Sequence, residues 1–125
     1  MSWSALFMGA LGLTGSFLPG EILERLGSAP SGLLSVMVQI LAALYLGFAM
    51  LNWTAKDSLV GGIYNRPLVV GNILHFVVGG LALAKAASSE KLPALVAFAV
   101  VYGIFAIGFA AVMFGSPLKN LSAKP

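Results

Sequence analysis

The sequence predicts an all-α integral membrane protein that forms a single four-helix domain over residues 1–125. Apolar residues make up 59% of the chain and charged residues only 9%, with a mean hydropathy of +0.98. A soluble domain carries about 25% charged residues, because its surface faces water. The apolar residues also form four long runs, each about as long as a bilayer is thick. We therefore expect lipid to cover much of the surface.

The four apolar runs define the predicted spans. They cover residues 3–19, 32–53, 67–87 and 92–114. At 1.5 Å per residue they extend over about 25–35 Å, which matches a hydrocarbon core about 30 Å thick. The loops between them are short, so a four-helix bundle is expected. Trp3 and Trp53 lie at run ends, where tryptophan anchors helices at the membrane interface.

The segment after the first run has two interpretations. Pro19 interrupts the run, and Ile22, Leu23 and Leu26 follow at helical spacing among charged residues. One interpretation is a short amphipathic helix that lies at the membrane interface. The other is a polar cap that extends the first helix.

Turn signals separate the remaining runs. The glycine pair at residues 61–62 predicts a turn, and Pro67 suits the first turn of the third helix. Residues 88–91 predict a short connection between antiparallel neighbours. Pro117 is expected to end the fourth helix.

Small residues at helical spacing predict where the helices pack, because close backbone contact holds helices together in lipid. The predicted packing positions are Gly9, Gly12, Gly15 and Ser16 in the first run, Ala43 and Gly47 in the second, Gly71, His75 and Gly79 in the third, and Ala99, Gly103, Ala106 and Ala110 in the fourth.

Polar side chains within the runs give the candidate site. Asn72 lies close to the face that carries His75, and both are expected to be hydrogen-bonded because an unpaired polar group in hydrocarbon is costly. Counting residues from the helix ends places Tyr45, His75 and Tyr102 at similar depths. The ligand-binding hypothesis therefore names His75, Asn72, Tyr45 and Tyr102. Gln39 is expected within reach of Thr14 or Ser16.

His75 itself has two interpretations. An ionisable residue deep in a membrane helix suggests a functional site, such as a proton relay, an axial ligand or a partner for a quinone-like headgroup. The other interpretation is a neutral histidine that ties helices together through a hydrogen bond to a tyrosine or a carbonyl.

Composition excludes several other functions. The chain has no cysteine and one histidine, which argues against thiol chemistry and against protein-only zinc or bis-histidine haem sites. The cations are scattered, so nucleic acid is not expected as a partner. The carboxylates fall at the predicted membrane surfaces, away from His75. We identify no catalytic residue, no metal site and no defined cofactor.

Part of the sequence resembles a known group of proteins. Residues 43–53 (ALYLGFAMLNW), 61–67 (GGIYNRP) and 71–76 (GNILHF) resemble small uncharacterised four-span bacterial membrane proteins, similar in layout to the DoxX type. The resemblance covers about half of the chain and implies a four-helix bundle in the bacterial inner membrane. It implies no activity.

These observations predict a non-enzymatic polytopic membrane protein that binds a lipid-like or aromatic ligand. The alternatives are a small oligomeric transporter or channel, and an accessory subunit of a larger membrane complex. Expected partners are the lipid bilayer, a small apolar ligand and either further copies of the chain or a membrane partner. The positive charges, four on one side (Lys56, Arg66, Lys119, Lys124) and three on the other (Arg25, Lys85, Lys91), favour cytoplasmic termini.

Overall fold

The computed structural model describes residues 1–57 and 65–115, and within these ranges the chain is almost entirely helical. The predicted turn at residues 61–62 and the predicted helix end at Pro117 lie outside the described residues. The described helices are α1 (Ser2–Phe17), α2 (Pro19–Arg25), α3 (Gly32–Ala55), α4 (Arg66–Glu90) and α5 (Pro93–Phe114).

The chain divides into two compact units. The first, Met1–Asp57, contains α1, α2 and α3, and the second, Ser58–Pro125, contains α4 and α5. Each unit has one antiparallel pair of long helices as its framework, α1 with α3 and α4 with α5. Assembly of both units into one four-helix domain stays a prediction.

Three helices, α3, α4 and α5, are long and apolar enough to cross a membrane. The shorter helices α1 and α2 meet that test only as a pair, and they are bent by 100° at the break between them. The bend supports a separate helix after the first run and is inconsistent with a simple extension of α1. Pro19 is the first residue of α2, where a proline loses no helical hydrogen bond.

The α4–α5 connection is shorter than predicted, because α4 continues through Ser88, Ser89 and Glu90. The Ser88 hydroxyl donates to the carbonyl of Lys85 at 2.7 Å, and that of Ser89 to the carbonyl of Ala86 at 3.0 Å. Such bonds within the helix let serine occupy a last helical turn. Only two residues connect the helices, and the first, Lys91, has left-handed backbone geometry with φ 52°, as is common just after a helix.

Glycines bring α1 against α3, as the sequence predicted. A methyl group added at Gly9 would lie 3.7 Å from the Ala49 Cβ, and one at Gly15 would lie 2.8 Å from the Ala42 Cβ. Between them, a methyl group at Gly12 would lie 2.6 Å from Leu46 Cγ. The partners run backward along α3 as the glycines advance along α1, so the two helices are antiparallel.

The face of α3 that meets α1 is not the one that carries Ala43 and Gly47. Ala42 and Ala49 are buried there, whereas Ala43 is exposed and a methyl group added at Gly47 would meet no atom within 4 Å. Ala43 and Gly47 therefore do not face α1, and their packing against another helix stays a prediction. Because α3 is apolar on all sides, small residues occur on more than one face and do not identify which one packs.

The contact at Gly12 gives a test of this packing. Gly12→Ala would place its methyl group 2.6 Å from Leu46 Cγ and 3.0 Å from the Ala42 carbonyl oxygen, and overpacking of this kind costs about 1–3 kcal/mol. Gly47→Ala is the matched control, since it enters open space and gains helix propensity of about 0.5–1 kcal/mol. We expect Gly12→Ala to lower the midpoint of thermal unfolding in detergent and Gly47→Ala to leave it unchanged or raise it. Equal effects would contradict the packing.

Candidate functional site

The second unit brings His75 of α4 against Tyr102 of α5. The Tyr102 hydroxyl oxygen lies 3.4 Å from His75 Nε2, and the two ring centroids are 5.5 Å apart. The prediction that the two residues lie at the same level is confirmed. The histidine tautomer decides which group donates this hydrogen bond.

Aromatic rings pack directly around this pair. The Phe76 ring contacts the Tyr102 ring edge-to-face, with 5.1 Å between the ring centroids. It stacks with the rings of Phe105 and Phe109, at centroid distances of 5.0 Å and 5.8 Å. Phe76 is 0% exposed and Tyr102 is 2% exposed. His75 is half-buried at the margin of the cluster. The imidazole is thus the accessible polar group at the edge of a packed aromatic interior.

A glycine allows the tyrosine ring to reach α4. A methyl group added at Gly79 would lie 2.7 Å from Tyr102 Cε1, so the ring lies directly over the glycine. His75 and Gly79 are one helical turn apart, and this places the imidazole beside the far end of the same ring. The predicted packing position at Gly79 is confirmed.

The α5 side of this contact is formed in large part by aromatic side chains. Its buried positions are Tyr102 and Phe109, with Phe105 stacked between them, whereas a methyl group at Gly103 would have no neighbour within 4 Å. Large rings therefore form much of the α5 face toward α4, and Gly103 is not part of it. Small residues on α4 and aromatic residues on α5 are therefore complementary.

The four residues of the ligand-binding hypothesis are only partly brought together. Asn72 is fully buried, and its side-chain nitrogen donates to the Leu68 carbonyl of its own helix at 2.9 Å. It lies one turn before His75 on α4. Tyr45 belongs to α3 in the first unit, and its convergence with the other three residues stays a prediction.

A second buried polar cluster in the first unit was not predicted as a site. Asn52 and Ser4 are almost completely buried, and the Asn52 side-chain nitrogen donates to the Ser4 hydroxyl at 3.3 Å. The same nitrogen lies 3.8 Å from the Met8 sulfur, and the Ser4 hydroxyl donates to the Met1 carbonyl at 2.7 Å. The available signal was the position of Ser4 and Asn52 near the adjoining ends of antiparallel runs.

The opposite end of the first unit carries the polar contact that the sequence predicted. The Gln39 side-chain nitrogen donates to the Ser16 carbonyl at 3.4 Å. Together with the Asn52–Ser4 bond, it links α1 and α3 near both ends of α1.

The described side chains offer little for metal chemistry. Within residues 1–57 and 65–115, no group of three or more His, Asp or Glu side chains could hold a metal ion. The polar side chains at the His75 site are one imidazole and one phenol, which contact each other, and the aromatic rings packed around them are largely buried. This set suits hydrogen bonding and aromatic contact.

Comparison with known proteins identifies no relative. No protein family, curated protein or solved structure matches the sequence. The chemistry of the described side chains is therefore the basis for inferring a function.

Two substitutions of Tyr102 distinguish the contribution of its ring to packing from that of its hydroxyl to hydrogen bonding. Tyr102→Phe keeps the ring and removes only the hydroxyl, and a hydrogen bond between membrane helices contributes about 0.6 kcal/mol on average. Tyr102→Ala also removes the buried ring, which costs about 3 kcal/mol or more. We expect unfolding in detergent to show this order of effects. A loss for Tyr102→Phe as large as that for Tyr102→Ala would mean that the hydroxyl, not the ring, holds the hairpin.

Proposed function

We propose that this chain is an integral membrane protein whose helices α1, α3, α4 and α5 cross the bilayer and assemble into a four-helix bundle. The observation that carries the proposal is the apolar exterior of the long helices. Large apolar side chains are more than half exposed along their central turns, among them Ile40, Leu44, Leu74, Leu81, Ile104 and Ile107. Soluble proteins rarely expose apolar surface on this scale, whereas a lipid-facing helix requires it.

The shorter α1 also fits a membrane span. It has 16 residues, none of them charged, and its length of about 24 Å falls short of a 30 Å hydrocarbon core. Local thinning of the bilayer accommodates such a mismatch at modest cost. The 100° bend then directs α2, with Glu21, Glu24 and Arg25, along the membrane surface. This arrangement is the interfacial helix that the sequence suggested.

Within this frame, we propose a non-enzymatic function in which the second hairpin binds a lipid-like or aromatic ligand beside His75 and Tyr102. The half-buried imidazole places a polar group at the surface of an apolar hairpin, next to the buried aromatic rings. Polar groups inside a membrane bundle are costly, and such positions are often functional. A part for Asn72, which is fully buried, and for Tyr45, which belongs to the first unit, stays a prediction. Residence in a bacterial inner membrane with cytoplasmic termini remains a prediction from the sequence.

A second candidate is an accessory subunit of a membrane complex. Exposed Ala43 and open Gly47 on α3 lie four residues apart, and small residues at this spacing allow close packing of a further membrane helix. The transporter or channel interpretation rests on the sequence alone.

Native mass spectrometry of the gently extracted protein tests the ligand proposal. We expect wild-type protein to remain in the membrane after an alkaline wash and, once extracted in mild detergent, to carry a bound small molecule. His75→Ala should lose most of that molecule, because the imidazole is the accessible polar group of the site. Gln39→Ala is the control, since it removes an interhelical hydrogen bond in the other unit.

Three results would count against this proposal. Release of the protein by the alkaline wash would contradict the membrane location. Equal ligand occupancy in wild type and in His75→Ala would contradict the site. A ligand-free wild type that copurifies with another membrane protein would favour the accessory subunit.

A further inference from the structure

An apolar groove lies between α1 and α3 on one face of the first hairpin. It has a volume of about 520 Å³ and is lined from α1 by Ala5, Leu6, Gly9, Ala10 and Leu13, and from α3 by Leu46, Ala49, Met50 and Trp53. The small side chains of both helices leave the space open. Its volume is within the range of about 300–1,000 Å³ that is common for small-molecule sites.

One end of the groove is marked by two tryptophans. Trp53 lines the groove itself. Trp3, 79% exposed, is on α1 one residue before Ser4, which bonds to Asn52 beside Trp53. Tryptophan concentrates at the level of lipid headgroups. From this end the groove extends for about 12 Å, the helical rise between Ala5 and Leu13, toward the middle of the hairpin.

The Lys56 ammonium lies at the tryptophan end of the groove. It lies 3.6 Å from the centroid of the Trp53 ring, in cation–π contact. No carboxylate forms an ion pair with Lys56 in the part of the chain that the structure describes. An aromatic ring leaves the other donors of the ammonium available for an anionic oxygen.

We propose that this groove binds a membrane phospholipid, with one acyl chain along the α1–α3 groove and the phosphate on the Lys56 ammonium. The inference rests on the proposed membrane location, but it concerns a site separate from His75. The charge at the tryptophan end and the wholly apolar lining beyond it match an amphiphile with an anionic head and a hydrocarbon tail. A helix of a protein partner would leave the cation without a counter-charge.

The test compares two lipids with identical acyl chains. Purified protein in mild detergent is titrated with dioleoyl phosphatidylglycerol or with dioleoylglycerol, which lacks the phosphate, and bound lipid is measured by native mass spectrometry. We expect the wild-type protein to bind phosphatidylglycerol about fivefold more tightly than dioleoylglycerol. A single lysine near an anionic membrane surface changes binding affinity by about this factor.

Two variants separate the parts of the site. Lys56→Gln should abolish the preference for phosphatidylglycerol. Ala10→Trp should weaken the binding of both lipids, because Ala10 is exposed and lines the groove, so the tryptophan side chain fills the groove without entering the α1–α3 contact. Matched controls in the second unit are Lys85→Gln and Ala82→Trp, both at exposed helical positions. Unchanged thermal unfolding of Lys56→Gln and Ala10→Trp would show that folding is intact.

Each contrary result has a distinct meaning. A preference that persists in Lys56→Gln, or one that is lost equally in Lys85→Gln, overturns the assignment of the phosphate to Lys56. Unchanged lipid binding in Ala10→Trp overturns the groove. If the protein stays in the membrane after the wash but the lipid-binding predictions for these variants are wrong, the membrane proposal stands and the phospholipid site is rejected. Release by an alkaline wash would remove the membrane proposal itself.

Discussion

Close approach of helix backbones is the constraint on which each hairpin depends. The long helices carry apolar residues on all sides, and in the proposed membrane location burying apolar side chains gains little because lipid is also apolar. Contact must then come from positions where one helix lacks a side chain. Gly12 and Gly15 provide these positions on α1, and Gly79 provides one on α4 beneath the Tyr102 ring.

Hydrogen-bonded polar pairs specify how the two helices of each hairpin are aligned along their axes. The Ser4–Asn52 bond and the Gln39–Ser16 bond link α1 to α3 at two levels, and the His75–Tyr102 pair links α4 to α5. Sliding one helix by a residue would separate these partners and leave polar groups in an apolar interior. Each bond contributes little to stability. Together, however, the bonds favour the observed register of each helix pair over registers shifted by one residue. Polar residues therefore specify the arrangement that glycine contacts permit.

The sequence predicted the helices well because their limits have simple chemical causes. Proline occurs in the first turn of α2, α4 and α5, and the apolar runs coincide closely with α3 and α5. The glycine face of α1 was also predictable, since its small residues recur on one side. Likewise, counting residues placed His75 and Tyr102 at one level, because antiparallel helices convert sequence position into depth.

Other features could not be predicted from pattern alone. In α3, small residues lie on two faces, and the sequence does not indicate that Ala42 with Ala49, rather than Ala43 with Gly47, meets α1. In α5, rings that are equally suited to lipid contact form the interface. Ser88 and Ser89 indicated a loop, but their hydroxyls bond within α4. Asn52 lies near the end of an apolar run, where nothing in the sequence pattern indicates burial, yet it is fully buried.

The most direct test of the four-span topology is the accessibility of single cysteines to a membrane-impermeant maleimide. The chain has no native cysteine, so Ser2→Cys, Ser28→Cys, Asp57→Cys and Ser89→Cys each report one position. Four spans require that Ser2 and Asp57 share one side of the membrane, and that Ser28 and Ser89 share the other. Labelling of Ser2→Cys from the same side as Ser28→Cys would mean that α1 does not cross, and would contradict the four-span topology.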